Sequence, residues 1–271
     1  MEQKKEKYDR IGLHYNSTRK ADPYLVSRLL YHLAPRPEGT YLDIGCGTGN
    51  YTIALNQQGV NFIAADPSQK MLKEARSKSE SIKWVQAKAE TLPLDLESVD
   101  GIMASLTLHH WSSLEKGFQE LFRVARPGAS LVIFTSTPEQ MEGYWLNHYF
   151  PKMLKDSMIQ MPTYELVTES LQKAGFEIKN TEPYFVKDDL QDLFLYAGKE
   201  RPSLYLDPQV RQGISSFSDL SRKEEVEKGL HQLELDIQSG KIHTIMESYE
   251  NDLGDYLFVI AQKDCKAQRD L

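Results

Sequence analysis

The sequence predicts an α/β protein built on a doubly wound parallel sheet, and two observations carry this prediction. Strand-like apolar segments alternate with helical segments five times within residues 41–135, as in a parallel sheet covered by helices on both faces. The first strand-like segment also ends in three glycines at alternate positions, Gly45, Gly47 and Gly49. Glycines there let the bare backbone approach a ligand, so we expect a small-molecule pocket at the carboxyl end of this strand.

The first strand is predicted over residues 41–44, where Asp43 interrupts an otherwise apolar run, and a helix follows over residues 51–58. The start of that helix supplies unpaired N–H groups and the positive end of a dipole. A dinucleotide-binding loop has the spacing Gly-x-Gly-x-x-Gly, whereas Gly49 arrives one residue early here. The early glycine and Asp43 disfavour a nicotinamide-dependent oxidoreductase, which stays as an alternative.

The second strand is predicted over residues 60–65 and ends in Asp66-Pro67-Ser68. An acidic residue about 20 positions after such glycines is the expected partner of ribose hydroxyls. A carboxylate accepts two hydrogen bonds from a cis-diol, which a neutral side chain does not match. The alternative is that Asp66 caps the helix predicted over residues 69–78, although Ser68 can do so instead.

Three further strands are predicted over residues 82–86, 99–104 and 130–135. The loop after the fourth strand, residues 105–111, contains Ser105 and the adjacent pair His109 and His110. A helix over residues 118–126 is expected to stop at Arg126-Pro127-Gly128, because proline and glycine together terminate helices.

Three stretches of this region resemble class I S-adenosylmethionine (SAM)-dependent methyltransferases. Residues 42–49, Leu-Asp-Ile-Gly-Cys-Gly-Thr-Gly, resemble the family's motif I. Residues 87–94 resemble the Gly-Asp-Ala-Glu-x-Leu-Pro segment of the ubiquinone/menaquinone-type enzymes, and residues 120–128 resemble the helix after the catalytic-face loop. The resemblance implies a Rossmann-like, doubly wound seven-stranded sheet with an antiparallel last strand. It also implies SAM as cofactor and in-line transfer of its methyl group to a small-molecule acceptor.

The resemblance places the cofactor among residues of the first four strand ends. Met71 is expected to pack on the adenine, with a core methionine as the alternative, and Cys46 is expected to be a small packed residue. Lys88 replaces the family's aspartate, so we move contact with the adenine amino group to Glu90 and contact with the ring edge to the backbone at Lys88 and Ala89. The full predicted set is Asp43, Gly45, Cys46, Gly47, Gly49, Asp66, Pro67, Met71, Lys88, Ala89, Glu90 and Ser105.

Acceptor recognition is predicted in two regions outside the core of residues 36–137. Residues 8–33 resemble the segment that covers the active site in small-molecule methyltransferases, with Tyr8, Tyr15 and Arg19 as candidate ligands. Residues 138–252 predict a helical cap inserted before a final strand at residues 255–262. The densest aromatic run of the chain opens this cap and adds the candidates Trp145, His148 and Tyr149. The alternative is ordinary packing for the aromatic candidates and a surface charge for Arg19.

The cap is predicted to contain helices over residues 163–174, 190–196, 208–217 and 223–238, with an extended stretch over 176–186. In the last helix, Val226, Leu230, Leu233 and Ile237 recur at helical spacing. His109 and His110 are the candidate general bases, because histidine titrates near neutral pH and an acceptor that must lose a proton needs a base.

The composition fits a single cytoplasmic enzyme domain over residues 1–271. The net charge of −7 lacks the excess of basic residues that is typical of nucleic-acid-binding proteins. No apolar run approaches the roughly 20 residues that cross a bilayer. The two cysteines show neither a disulfide pattern nor metal-ligand spacing. We expect a monomer or homodimer whose partner is a small molecule. A SAM-binding partner subunit without activity, or a methyltransferase acting on nucleic acid or protein, are the remaining alternatives.

Overall fold

The sheet seen in a computed structural model, which describes residues 18–218 and 220–264, has seven strands in the order β3-β2-β1-β4-β5-β7-β6. β1 pairs in parallel with both β2 and β4, and β7 pairs antiparallel with β5. The predicted Rossmann-like sheet with an antiparallel last strand is therefore confirmed. The strands are β1 (Thr40–Ile44), β2 (Asn61–Asp66), β3 (Lys83–Gln86), β4 (Val99–Ser105), β5 (Ala125–Thr135), β6 (Phe176–Tyr184) and β7 (Tyr256–Lys263).

Eleven α-helices lie within the described residues. The longer ones begin at a side-chain cap where the sequence supplies one: Ser68, Ser113 and Thr163 each accept a hydrogen bond from a backbone N–H of the first turn. The helices are α1 (Pro23–Leu33), α2 (Asn50–Asn56), α3 (Gln69–Lys78), α4 (Leu114–Val124), α5 (Pro138–Glu142), α6 (Leu146–Tyr149), α7 (Pro151–Gln160), α8 (Tyr164–Ala174), α9 (Pro208–Gln212), α10 (Lys223–Ser239) and α11 (Ile242–Glu247).

The order of the strands places a crevice beside β1. From β1 the chain builds outward through β2 to β3, and then crosses to the other side of β1 to form β4. Loops leave the carboxyl ends of β1 and β4 in opposite directions at this switch point, which is where open α/β sheets bind ligands. Fully buried Leu42, Ile102 and Leu131 hold the three strands in one hydrophobic core.

Several predicted elements differ in the structure. The helix expected over residues 208–217 is α9, which ends at Gln212, and a separate 3₁₀ turn follows at Ser215–Ser218. The helix expected over residues 118–126 is α4, which ends at Val124, and Arg126-Pro127-Gly128 lies inside β5. β5 begins early because Ala125 is already paired with Val99 of β4. The helix expected over residues 190–196 does not form. There the N–H of Gln191 bonds to the Asp22 carboxylate and the N–H of Leu193 to the Thr18 carbonyl, which takes them away from helical partners.

The chain divides into two compact units. The sheet unit comprises residues 23–135, 162–182 and the described part of 257–271, and it holds the glycine loop and both histidines. The helical unit comprises the described part of 1–22 with residues 136–161 and 183–256. Residues 162–182, which lie within the predicted cap region, form α8 and most of β6 and belong to the sheet unit.

Within the described residues, no helix is both long and apolar enough to cross a membrane. The same residues contain no group of three or more His, Cys, Asp or Glu side chains arranged to hold a metal ion.

Candidate active site

The glycine loop, residues 45–49, lies across the ends of β1 and β2. The N–H groups of Gly45 and Cys46 both donate to the carbonyl of Ala65, over 2.8 and 3.1 Å. These bonds extend the β1–β2 ladder by one step and then turn the chain towards α2, which begins at Asn50. The loop is thereby fixed beside the last residue of β2, Asp66.

Gly47 forms an open cradle at the tip of this loop. Its φ of 55° is a left-handed conformation that favours glycine. Of the described residues, none has an atom within 4 Å of the position that a Cβ at Gly47 would take. Its N–H donates to Oδ2 of Asp66 over 2.9 Å. A ligand can therefore lie directly on this stretch of backbone, as the sequence predicts.

Asp66 is held in place by the backbone and keeps acceptor capacity for a ligand. Oδ1 accepts from the N–H of Ser68 over 2.8 Å, and Oδ2 accepts from Gly47. Each carboxylate oxygen has two lone-pair sites, and one backbone N–H occupies one of them on each oxygen. The second site on each oxygen can accept a hydrogen bond from a ligand hydroxyl. Burial raises the pKa of Asp66, and the two N–H donors oppose that rise. Ser68, rather than Asp66, caps α3.

Two hydroxyls at the same edge are buried with no hydrogen-bond partner among the described residues. They are Oγ of Ser105, at the end of β4, and Oγ1 of Thr48, in the glycine loop. Buried polar groups are rarely left unpaired in native proteins. Both oxygens are covered by protein atoms, so the contact of Ser105 with a cofactor stays a prediction.

Asp43 lies beneath the loop and is only 3% exposed. Its Oδ2 accepts a short hydrogen bond from the hydroxyl of Thr52 in α2. Burial raises the pKa of Asp43 to about 7; the bond from Thr52 opposes this rise and the nearby charge of Asp66 adds to it. Asp43 thus joins β1 to α2 and titrates near neutral pH.

The raised pKa of Asp43 predicts a pH-dependent stability. Between about pH 4, where an unfolded aspartate titrates, and pH 7, where folded Asp43 titrates, the folded state binds more protons than the unfolded state. The stability contributed by protonated Asp43 is therefore complete at low pH and lost as the pH rises through 7. We expect the free energy of unfolding to lose up to about 1.4 kcal/mol per pH unit from this group. Urea unfolding of wild type and Asp43→Asn across this range measures it, and an equal slope in both proteins contradicts the assignment.

The segment after β3 approaches the same edge through Ala87, whose N–H donates to the carbonyl of Asp66 over 3.2 Å. Ala89 is buried and Lys88 is exposed. Met71 is 5% exposed in the first turn of α3, and Pro67 is exposed beside it. These positions agree with an adenine pocket, but the individual contacts with the cofactor stay predictions.

The loop after β4 carries both histidines in a short 3₁₀ turn, Leu108–His110. Their ring centroids lie 3.8 Å apart; His109 is partly buried and His110 is exposed. Two neighbours were missed by the sequence interpretation. Leu106 adopts a φ of 50°, for which leucine gives no sequence signal, and buried Thr107 packs on Gly45.

The predicted acceptor ligands of the amino-terminal segment are only partly visible. Tyr8 and Tyr15 lie outside the described residues. Arg19 forms a two-point ion pair with Asp192, whose carboxylate is buried; its Nη2 donates to Oδ2 over 3.2 Å. The guanidinium is thus engaged within the helical unit, and its contact with an acceptor stays a prediction.

The aromatic run forms the core of the helical unit. Trp145 is 1% exposed, and its indole N–H donates to the carbonyl of Lys199 over 3.0 Å. Tyr149 is 5% exposed and donates its hydroxyl to Asp236 over 3.0 Å, whereas His148 is exposed. This burial favours the packing alternative for Trp145 and Tyr149, while their role towards an acceptor stays untested.

The bond between Tyr149 and Asp236 supplies a test of these two roles. We expect Tyr149→Phe to lower the free energy of unfolding by about 1–2 kcal/mol, because buried Asp236 loses a hydrogen-bond donor. Turnover and acceptor KM should be unchanged in the folded fraction. Thermal unfolding and steady-state kinetics measure both quantities. An unchanged melting temperature with a raised KM would instead assign Tyr149 to the acceptor pocket.

The strand order is that of a Rossmann-like methyltransferase, and Gly47 and Asp66 lie at the carboxyl edge of its strands, where open α/β sheets bind ligands. Comparison with known proteins agrees, since the methyltransferase domain family matches residues 42–133. A putative methyltransferase from an antibiotic biosynthesis pathway of Anabaena variabilis is 36% identical, with a TM-score of 0.80 over 90% of this chain and 98% of that one. The chain belongs to the SAM-dependent methyltransferase family.

Relatives with more specific names match only part of their length. Demethylmenaquinone methyltransferase of Clavibacter sepedonicus is 32% identical over 149 residues, which are 52% of this chain and 61% of the relative. Malonyl-[acyl-carrier protein] O-methyltransferase of Enterobacter lignolyticus is 30% identical over 134 residues, 49% of this chain and 53% of the relative. The chain thus spans little more than half the length of these relatives.

Proposed function

We propose that this protein transfers the methyl group of SAM to a small organic acceptor. The observation that carries the proposal is the cradle at Gly47, open towards solvent and bordered by the Asp66 carboxylate at the switch point of the sheet. Gly59 shares the positive φ and the open Cβ position, so the buried carboxylate bonded to the N–H of Gly47 is what distinguishes this loop from a plain turn. Family membership supports SAM as the occupant.

SAM, when bound, supplies a methyl group already activated by the sulfonium. The work left to the chain is alignment of the acceptor and exclusion of water. In this proposal Asp66, which the N–H groups of Gly47 and Ser68 hold at the edge of the sheet, accepts hydrogen bonds from ribose hydroxyls. His109 or His110 accepts a proton when the acceptor must lose one.

A small-molecule acceptor fits the charge of the chain and one of its named relatives. The net charge of −7 opposes binding to a nucleic-acid backbone. One relative is named for methylation of demethylmenaquinone. We further propose that the protein acts in the cytoplasm, as a monomer or a homodimer.

The test is a screen of small-molecule acceptors with SAM labelled in its methyl group. Mass spectrometry should show the label in one chemical class of acceptor, and the label should be absent when Gly47→Val replaces the wild type. Replacing His109 and His110 singly by Asn in the same assay identifies the base. Binding of SAM without transfer to any acceptor in a broad screen would instead favour a partner subunit.

A further inference from the structure

The loop that carries the two histidines is attached at both ends to loops of the cofactor site. We define the histidine loop as residues 105–113. At its start, the N–H of Leu106 donates to the carbonyl of Phe134 in β5 over 2.7 Å, and the left-handed φ of Leu106 turns the next residue back over the sheet. The contacts that follow involve Thr107 at one end and Ser112 and Ser113 at the other.

Thr107 joins the start of the histidine loop to the glycine loop. Its side chain is 5% exposed and occupies the space where a side chain at position 45 would lie. A Cβ at Gly45 would lie 2.0 Å from Oγ1 of Thr107 and 2.5 Å from its Cβ. Gly45 is therefore required by its φ of 75° and by this contact. The two loops pack together through Thr107.

Glu90 joins the end of the histidine loop to the segment after β3. Its Oε1 accepts three hydrogen bonds: from the N–H of Ser112 over 2.5 Å, from the hydroxyl of Ser112 over 2.8 Å and from the N–H of Ser113 over 3.1 Å. Burial raises the pKa of Glu90, but these donors outweigh it and hold the pKa below its usual value. Glu90 is therefore charged at neutral pH, and hydrogen bonds to a charged acceptor are the stronger kind.

Capping of α4 does not account for these bonds. That helix has its own cap, because the hydroxyl of Ser113 accepts from the N–H of Lys116 over 3.3 Å. Glu90 instead holds backbone N–H groups that precede the first helical residue. With three donors on Oε1, only Oε2 is left for the adenine contact that the sequence predicts for this side chain.

We propose that Glu90 and Thr107 are positioning residues that hold the histidine loop, and with it His109, between the two cofactor-binding loops. The proposal rests on the proposed function, in which His109 is a candidate general base. The loop's place is then set by the same two segments that contact SAM. A loose loop would misplace the base.

The proposal is tested with Glu90→Ala, with Glu90→Gln as the conservative variant and with Glu120→Ala as the matched control. Glu120 also accepts from a backbone N–H, that of Leu92 over 2.8 Å, but does not contact the histidine loop. In Glu90→Ala we expect the amides of Ser112 and Ser113 to exchange hydrogen about tenfold faster. We expect the His109 ring resonances to move, whether or not Oε2 of Glu90 also contacts SAM. Glu90→Gln should restore the resonances, and Glu120→Ala should leave them unchanged.

Two results would overturn the proposal. One is an unchanged His109 resonance in Glu90→Ala, which would make the bonds to Ser112 and Ser113 merely structural. The other is a Kd for SAM raised by about tenfold or more with unchanged amide exchange, which would make Glu90 a cofactor ligand. If the wild type itself fails to bind SAM in the same calorimetry, the proposed function fails, while the exchange and resonance data still decide the role of Glu90.

Discussion

We expect Gly47→Val to abolish SAM binding while the sheet stays folded. A branched side chain at position 47 would fill the space above the loop, where no atom of the described residues lies within 4 Å of the Cβ position. A φ of 55° also strains any residue other than glycine. We expect the affinity to fall by at least about 100-fold, equivalent to about 2.7 kcal/mol. Calorimetric titration with SAM measures the loss.

Gly59→Val is the matched control for this variant. Gly59 also has a positive φ, 91°, and no described atom lies within 4 Å of its Cβ position, but it lies before β2 and away from the glycine loop. The two variants therefore share the backbone strain and differ in the ligand space. Equal SAM affinity in both would mean that the loop is only a turn, and the proposed site would be wrong.

Asp66→Ala should weaken SAM binding by ~1.5–3 kcal/mol, roughly 10- to 150-fold, the range for hydrogen bonds to a charged group. The variant removes the acceptor for the ribose hydroxyls and also frees the N–H groups of Gly47 and Ser68. Asp66→Asn keeps an acceptor oxygen without the charge, so we expect an intermediate affinity. Calorimetry on both variants separates the charge from the acceptor geometry.

Asp100→Ala controls for a general loss of stability. Asp100 is a partly buried aspartate at the opposite end of the sheet, where Oδ2 accepts from the N–H of Thr40 over 2.9 Å. Its removal should lower the melting temperature and leave the Kd for SAM unchanged. A folded Asp66→Ala protein that binds SAM as tightly as Asp100→Ala would remove Asp66 from the site.

The sheet was predictable because its signals are local. β2, β4, β5 and β7 each contain a short apolar run. Ser68 and Thr163 mark the starts of α3 and α8, and Gly175 marks the end of α8. The errors in predicted secondary structure arise where hydrogen bonds to residues distant in the sequence determine the local conformation. Ala125 is drawn into β5 by Val99, and the backbone of residues 191–193 bonds to residues 18–22 instead of forming a helix.

In the candidate site, the sequence predicted the positions of some residues, while their contacts with a ligand stay predictions. Gly47 and Asp66 could be identified from the sequence, because a glycine after a strand and an acid about 20 positions later form a pattern of residue type and spacing. The role of Thr107 could not be identified from the sequence, because a threonine after a strand follows no recognisable pattern. Its contact with Gly45 arises only in the folded structure. The aromatic run was predicted to line an acceptor pocket. In the structure the ring of Tyr144 stacks on that of Tyr196 in a buried core, with the ring centroids 3.9 Å apart. Aromatic residues give the same sequence signal in a core as in a pocket.

The most direct test of the central claim is calorimetric titration of the wild-type protein with SAM and, separately, with NAD. We predict saturable binding of one SAM molecule per chain and no heat from NAD, because Gly49 comes one residue too early for a dinucleotide-binding loop and Asp43 is foreign to such a loop. Saturable binding of NAD without binding of SAM would overturn the proposed methyl transfer and favour a nicotinamide-dependent oxidoreductase.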